Sequence, residues 1–436
     1  MKIMKFGGTS VGSPQRMKEV AEIVSAEQGK RIVVLSALSG TTNTLVAISE
    51  KCAASQKPEA RKIADDLKIK YYTFLDDLFG DAPEVKANKE FADEVFDLVD
   101  HLIDQNYNDQ VNKMLLAQGE IMSTHFFTDY MNMTGRKCEM IMAADYMTLD
   151  ENAEPSLNIT TTKINALLAE VQADVIITQG YIARNASGGM DNLRRGGSDY
   201  TATIIGAVLK SEEVQIWTDI DGMHNNDPRI VQNTHPLANL SFEEASELAY
   251  FGAKVLHPHC IIPAQLHEVP VRIKNTMDPT AHGTLISAIQ GPGAVKAIAA
   301  KDNITAIKIK SSRMVMAYGF LKKIFEVFES YRTPIDMITT SEIAVSLTID
   351  NPEHLDKIIA ELSQFGKVEV DHQQTIICIV GDMVAEHKGV GSKIFLSLDD
   401  VPLRMISYGG SRNNISLLVS EEHKKDALQK LHESLF

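Results

Sequence analysis

Lys5-Phe6-Gly7-Gly8-Thr9-Ser10 sets one cation, two glycines and two hydroxyls directly after a short apolar run that starts at Ile3. Glycines let a backbone come close to a ligand, and successive turn amides form a concavity that accepts anionic oxygens. An amphipathic stretch from Pro14 predicts a helix, whose N-terminal dipole would add to the attraction. A second hydroxyl-rich loop, Ser36-Ala-Leu-Ser-Gly-Thr-Thr42-Asn43, follows the β-branched run Arg31–Leu35. Glu120 follows Gly119 and precedes apolar residues at helical spacing. It could point inward, or be a helix N-terminal glutamate favoured by the dipole. Arg195-Gly-Gly-Ser198-Asp199 leads into an apolar helix, Thr203 to Leu209. There the arginine could clamp a carboxylate or phosphate, and the serine or aspartate could equally be a helix cap. Trp217-Thr218-Asp219 ends another strand, with Asn225-Asn-Asp-Pro-Arg229 after it. Phe251-Gly-Ala-Lys254-Val255-Leu-His-Pro258 reads as a helix-type segment that stops at proline. Lys254 and Arg229, taken singly, are ordinary surface cations.

The elements that must position these groups alternate between short apolar strands and helical stretches, which predicts an α/β fold with a mainly parallel sheet. Ligands collect at the carboxyl ends of such strands. Residues 50–127 form a long helical excursion or lid. Gln290-Gly-Pro-Gly293 reads as a linker, and the chain beyond it repeats internally. Lys323-Ile-Phe325 recurs as Lys393-Ile-Phe395, Ile335–Ile338 as Leu403–Ile406, and Val345-Ser-Leu347 as Ile415-Ser-Leu417. Each copy has the strand and helix order of a ferredoxin-like unit. The second copy lacks a final strand, and the run from Val295 to Ala300 is expected to supply it. The first copy is then an insertion: domains 1–290, then 304–375, then 295–303 with 376–436. Gly389-Val-Gly-Ser-Lys393 superficially resembles a phosphate loop, but the residue order is wrong and the other copy has none.

Composition narrows the chemistry. The 436 residues are 44% hydrophobic and 23% charged, values of a globular protein. A net charge of −15 argues against nucleic acid or an anionic membrane surface, while leaving room for a local cationic pocket. No signal segment or bilayer-length apolar run is visible. Cys52, Cys138, Cys260 and Cys378 are widely spaced and read as buried free thiols in a reducing cytoplasm. His257-Pro-His259 beside Cys260 has no partner cluster, so no protein metal cage is expected.

Taken together the motifs suit a nucleotide phosphate beside an amino-acid-like substrate. The chain resembles the aspartate kinases of the amino acid kinase superfamily over essentially its whole length. The resemblance rests on Lys5-Phe-Gly-Gly-Thr-Ser-Val11, Arg195-Gly-Gly-Ser-Asp-Tyr-Thr201, Trp217-Thr-Asp219 and Phe251–Pro258, in family order. It implies a carbamate-kinase-like three-layer αβα sandwich followed by two ferredoxin-like ACT units. It also implies transfer of the γ-phosphoryl of Mg2+-bound ATP to the β-carboxylate of L-aspartate. Lys5 and Asp199 would be catalytic; Ser36, Thr42, Glu120, Arg195 and Ser198 would hold aspartate. Lys5, Phe6, Gly7, Gly8, Thr218, Asp219, His224, Arg229, Lys254 and Val255 would hold the nucleotide. Met314, Phe320, Leu321, Asp336, Ser341 and Glu342 match a lysine-inhibited branch, implying L-lysine as effector and a homodimer or homotetramer. His224 departs from a frequent tyrosine and Arg194 from a glycine. Ala317 and Pro334 replace polar positions. The end at Phe436 argues against a fused homoserine dehydrogenase. The alternatives are a kinase for another small acid, such as glutamate, or a non-catalytic amino-acid sensor.

Overall fold

The computed structural model describes residues 1–193, 196–252, 256–289, 294–311 and 318–436. The chain opens with β1 (Lys2–Phe6), α1 (Pro14–Ala26), β2 (Arg31–Leu35), α2 (Thr41–Ala53), α3 (Lys57–Phe79), α4 (Glu84–Asp104) and α5 (Asp109–Met133). It continues through β3 (Cys138–Met140), α6 (Ala143–Tyr146), α7 (Leu157–Glu170), β4 (Val175–Gln179), the small hairpin β5 (Ile182–Arg184) and β6 (Met190–Asn192), then α8 (Gly197–Leu209) and β7 (Glu213–Thr218). Next come β8 (Asn239–Ser241), α9 (Phe242–Tyr250), α10 (Pro258–Leu266), β9 (Val271–Asn275) and β10 (Thr284–Ser287). The remainder is β11 (Ala297–Lys310), α11 (Phe320–Ser330), β12 (Ile338–Thr340), β13 (Ala344–Ile349), α12 (Leu355–Leu362), β14 (Lys367–Val380), α13 (Val390–Ser397), β15 (Met405–Tyr408), β16 (Asn414–Ser420) and α14 (Lys424–Leu435).

Two compact units result: residues 1–223 with 256–288, and residues 224–255 with 289–436. Packing therefore groups residues 224–255 with the C-terminal part, although the motif-based division kept them with the first 290 residues. In the first unit the strands run β3-β4-β2-β1-β7-β9-β10. All neighbours are parallel except β9 and β10. β2 is β-branched and fully buried along its length, as a central parallel strand requires. Side chains alternate across β1. Met4 and Phe6 enter a core built with α1 to α5, whereas Lys5 reaches Asp199 of α8. The 50–127 excursion is thus part of the main core: Leu67, Phe74, Phe96, Val99 and Phe126 share it with β1 and β2. Ser13 caps α1, accepting the Arg16 N–H at 3.3 Å ahead of Pro14, so this helix starts where the sequence signals it.

The second unit has a six-stranded antiparallel sheet, β12-β13-β11-β14-β16-β15. β11 and β14 are long enough to serve both repeats. Ala297–Lys301 pairs with Ile376–Val380, and Ala306–Lys310 with Lys367–Asp371, with irregular register between Lys301 and Ala306. Two apolar clusters fill the repeats, one around Ile307, Ile309 and Phe328, the other around Ile377, Ile379 and Leu417. Gly389-Val-Gly-Ser-Lys393 is only the left-handed turn and first residues of α13. The 290–293 linker lies outside the described residues. α9 ends at Tyr250, so Phe251 and Gly252 form a turn rather than the expected helix. Gly252 takes φ +129, and a Cβ there would lie 2.1 Å from the Ala300 carbonyl oxygen. Residues 253–255 of that segment lie outside the described residues. No described helix is long and apolar enough to cross a membrane.

Candidate active site

A cleft of about 470 Å³ opens at the carboxyl ends of the first unit's central strands. β1 delivers Lys5, which is 9% exposed and whose Nζ lies 2.7 Å from Asp199 Oδ1. Asp199 is in the first turn of α8, which begins at Gly197, six residues before the expected Thr203. The N-cap is Gly196 at φ +73 with no side-chain cap bond, so Asp199 serves Lys5 and not a cap. α2 starts in the same manner, at Gly40 with φ +82 and no side-chain cap. Both uncapped helix ends line the cleft, through Gly197 and Ser198 on one side and Gly40, Thr42 and Asn43 on the other. Unsatisfied first-turn N–H groups and the helix dipoles make this end of the cleft an anion receptor. Gly7 and Gly8 line it too. A Cβ on Gly8 would lie 2.9 Å from the Ala37 carbonyl oxygen, so no larger residue lets these two loops meet.

Glu120 sits in the middle of α5, which removes the alternative of a helix-terminal glutamate. Gly119 explains its position. A Cβ there would lie 2.7 Å from Ala37 Cβ, so only glycine lets α5 press against the 36–41 loop and push Glu120 into the cleft wall. The side chain is 3% exposed and its Oε2 has no hydrogen-bond partner among the described residues. Burial pushes its pKa up to about 7, against the Ala37 main-chain N–H and the charge of Lys5. A buried acid with an open oxygen, beside a cationic and anion-binding wall, can hold an ammonium while the other end of the ligand meets phosphate. Ser36 lines the cleft, and its carbonyl accepts from Ser123 Oγ of α5 at 2.8 Å. Ser198 Oγ packs so close to Gly180 that a Cβ there would be 2.4 Å away.

Of the expected nucleotide residues, Thr218 lines the cleft and its hydroxyl donates to exposed Asp219 at 3.2 Å. The Phe6 ring is fully buried and stacked on Trp217 at 5.6 Å, so Phe6 can serve the site only through its main chain. His224 and Arg229 belong to the second unit. His224 Nδ1 is 3.1 Å from Thr234 Oγ1, and the exposed Arg229 guanidinium is held by Asp227 at 2.7 Å. That pairing keeps the Asp227 carboxyl below the usual range. Arg194, Arg195, Lys254, Val255, Met314 and Ala317 lie outside the described residues. Of the effector set, the Asp336 side chain is buried in the second unit, whereas Leu321, Ser341 and Glu342 are exposed. Tyr181 was missed by sequence reasoning. It lines the cleft at φ +68, its N–H donating to Thr201 Oγ1 at 3.0 Å. Its only signal was the place one residue beyond Gly180, at a strand end.

None of the four cysteines forms a disulfide and all are buried, and burial pushes the Cys138 and Cys260 thiols up to about 12. No group of three or more metal-ligating side chains occurs among the described residues.

The sequence profile of the Amino acid kinase family matches residues 1–275, and that of an ACT domain matches residues 377–435. The lysine-sensitive aspartokinase 3 of Escherichia coli (strain K12) is 32% identical over all of this chain and 99% of its own. The chain belongs to the aspartokinase family. A chloroplastic aspartokinase 2 of Arabidopsis thaliana is 33% identical, over all of this chain and 84% of its own. Aspartokinase folds superpose closely. The E. coli aspartokinase III structure with aspartate and ADP, called an R-state, has TM-score 0.85 at 31% identity with full coverage of both chains. The T-state structure of that protein, with lysine and aspartate, has TM-score 0.84 at 30% identity, covering all of this chain and 99% of that one. The amino acid kinase fold of an aspartokinase therefore carries the cleft, and the antiparallel C-terminal sheet is of the ACT kind.

Proposed function

We propose that this aspartokinase-family chain transfers the γ-phosphoryl of ATP to the β-carboxylate of L-aspartate, giving 4-phospho-L-aspartate and ADP, the first step toward lysine, threonine and methionine. The observation that carries the reading is buried Glu120 facing the same cleft as the Lys5–Asp199 pair and two uncapped helix N-termini. The attacking carboxylate, with a pKa of ~3.9, is ionised at neutral pH and needs no general base. The obstacle is bringing one anion against another, which positioning and charge neutralisation must overcome. Lys5 meets the phosphoryl while Asp199, 2.7 Å from its Nζ, fixes the direction of its ammonium. Gly7 and Gly8 give backbone contacts to the phosphates, although the Gly7 N–H itself donates to the Trp217 carbonyl at 3.4 Å. Glu120 takes the substrate ammonium, and Ser36, Thr42 and Ser198 complete the pocket, with Arg195 on the α-carboxylate. On the family resemblance alone, Thr218, Asp219, His224, Arg229, Lys254 and Val255 are taken as nucleotide residues, of which Thr218 lines the first unit's cleft.

Mg2+ fits this site as a companion of the nucleotide, since it is commonly held by phosphates, waters and one or two carboxylates. Asp199 is the carboxylate that would hold it, and the ion would supply charge neutralisation between phosphates. The reading includes a cytoplasmic location, assembly as a homodimer or homotetramer through the C-terminal repeats, and inhibition by L-lysine. It also takes residues 304–375 as an ACT unit inserted between 295–303 and 376–436.

The test is ADP release with a panel of acids, trapping the acyl phosphate with hydroxylamine. Aspartate-dependent hydroxamate is expected. Turnover with glutamate alone would install the kinase for another small acid, and no turnover at all the silent sensor. Lysine and threonine titrations examine the effector. Asp336→Ala should relieve lysine inhibition, and inhibition by threonine alone would overturn the assignment.

A further inference from the structure

Tyr181 sits in the cleft in a conformation that bulky residues rarely adopt. Ten described non-glycine residues have positive φ, and Tyr181, at +68, is the one aromatic among them and the one that lines the cleft. A large side chain held there is strained, and strain of this kind persists where the surroundings enforce it and clusters at ligand sites. The surroundings are specific. The Tyr181 N–H donates to Thr201 Oγ1 at 3.0 Å, and its carbonyl accepts from the Leu193 N–H at 2.6 Å. A Cβ on Gly197 would lie 2.4 Å from Tyr181 Cδ2, so α8 starts directly against the ring. The Asn192 side-chain amide donates to the Tyr181 hydroxyl, while burial and then the Glu120 charge push the phenol pKa up. Tyr181 thus touches the start of the helix that carries Ser198 and lies within electrostatic reach of Glu120.

Asn192 belongs to the small β5–β6 hairpin, which stands apart from the main sheet. A two-stranded ribbon is marginal by itself and must lean on its neighbours. β5 leans on the segment before α7 through Arg184, whose Nε donates to the Ala144 carbonyl at 2.8 Å. β6 is clamped to α5. Lys113 Nζ lies 2.8 Å from buried Asp191 Oδ2, and Asn192 Nδ2 donates to the Lys113 carbonyl at 3.2 Å. Lys113 and Glu120 both belong to α5, about two turns apart on nearly the same face. The clamp therefore ties the hairpin that holds the Tyr181 hydroxyl to the helix that carries Glu120. We propose that Asp191 and Asn192, clamped to α5 through Lys113, are positioning residues that hold the Tyr181 ring as the length gauge of the amino-acid pocket. With the substrate ammonium on Glu120 and the reacting carboxylate at the phosphoryl, the ring limits how much chain fits between them, and an acid with one more methylene meets it. The inference rests on the proposed reading in taking an amino acid as the phosphoryl acceptor.

Steady-state kinetics of the full chain with ATP and L-aspartate, L-glutamate or L-2-aminoadipate, each one methylene longer than the last, test this. Tyr181→Gly removes the ring and suits the φ of +68. It should shift the ratio of kcat/KM values toward the next longer acid by about tenfold, the discrimination that one methylene commonly carries. Tyr181→Phe keeps the ring and should leave the ratio near that of the parent. Asp191→Asn removes the charge of the clamp and should raise the KM for the amino acid severalfold, with kcat and the KM for ATP unchanged. Tyr181→Asn, whose new side chain tolerates left-handed backbone, replaces Tyr181→Gly if that variant fails to fold. An unshifted ratio in a folded variant without the ring overturns the gauge and leaves the aspartate reading standing. A parent chain that turns over glutamate alone overturns the aspartate reading, while a shift toward 2-aminoadipate in Tyr181→Gly still supports the gauge. Equal rises of both KM values in Asp191→Asn overturn the positioning role of the clamp. No turnover with any acid overturns both readings.

Discussion

In the proposed reaction the chemistry turns on Lys5 and Glu120, and each makes a distinct demand. Lys5→Ala removes the cation that must meet the transferring phosphoryl. Loss of one preorganised stabilising group costs about 10²- to 10³-fold in kcat, so hydroxamate formation should fall by that order while far-UV circular dichroism stays unchanged. Near-normal turnover would remove Lys5 from the mechanism. Glu120 has its pKa raised to about 7 by burial. A raised carboxyl pKa favours folding below the unfolded value of 4.5, and that contribution is lost as pH rises through 7. Glu120→Gln should therefore raise the melting temperature at pH 8 and change it little at pH 5. The substrate ammonium needs the ionised form, so kcat/KM for aspartate in the parent enzyme should climb as pH rises through about 7. A flat profile across that range would contradict the role assigned to Glu120.

At the scale of elements, two helix starts and one helix middle meet in the cleft, and glycine decides how closely. Gly119 and Gly40 separate two effects. At Gly119 an added methyl meets Ala37 Cβ at 2.7 Å and Thr41 Cγ2 at 3.1 Å, so α5 must back away from the loop. Gly119→Ala should cost ~1–3 kcal/mol by overpacking and also raise the aspartate KM, because Glu120 moves with the helix. At Gly40 an added methyl meets nothing within 4 Å, and only the φ of +82 resists it. Gly40→Ala should cost ~1–2 kcal/mol with a smaller effect on KM. Urea denaturation and initial-rate measurements on both variants check the contrast, and equal KM values would break it.

At the scale of the whole molecule, the two repeats of the second unit share β11 and β14. Their apolar clusters are distinct, yet Ile309 and Ile377 both sit at 0% exposure on the shared strands. Ile309→Ala and Ile377→Ala should each cost ~2–5 kcal/mol. Both should lower the same thermal transition, because neither repeat can lose its strands without unpairing the other. Differential scanning calorimetry that resolves two separately shifted transitions would show the repeats to be independent.

Much of this is legible in the amino-acid sequence. Short β-branched runs closed by glycines and hydroxyls already imply parallel strands with a site at their ends, because burial selects the run and backbone freedom selects the turn. Lys5, Ser36, Thr42, Ser198 and Asp199 stand as candidates in such turns, Glu120 only as a residue beside Gly119 on a helical stretch, and the roles of all six came from what the family resemblance implies. Other features depended on contacts between distant segments, which no local pattern encodes. Helical spacing could not tell whether Glu120 began a helix or sat within one. The side chain of Phe6 turns into the core because strand residues alternate, while its neighbour Lys5 turns to the cleft. Tyr181 joined the site only because a left-handed residue beyond Gly180 meets the start of α8. The clamp between the β5–β6 hairpin and α5 is tertiary altogether. Lys113 and Asn192 stand 79 residues apart in sequence, and only the folded first unit brings them together behind the cleft wall.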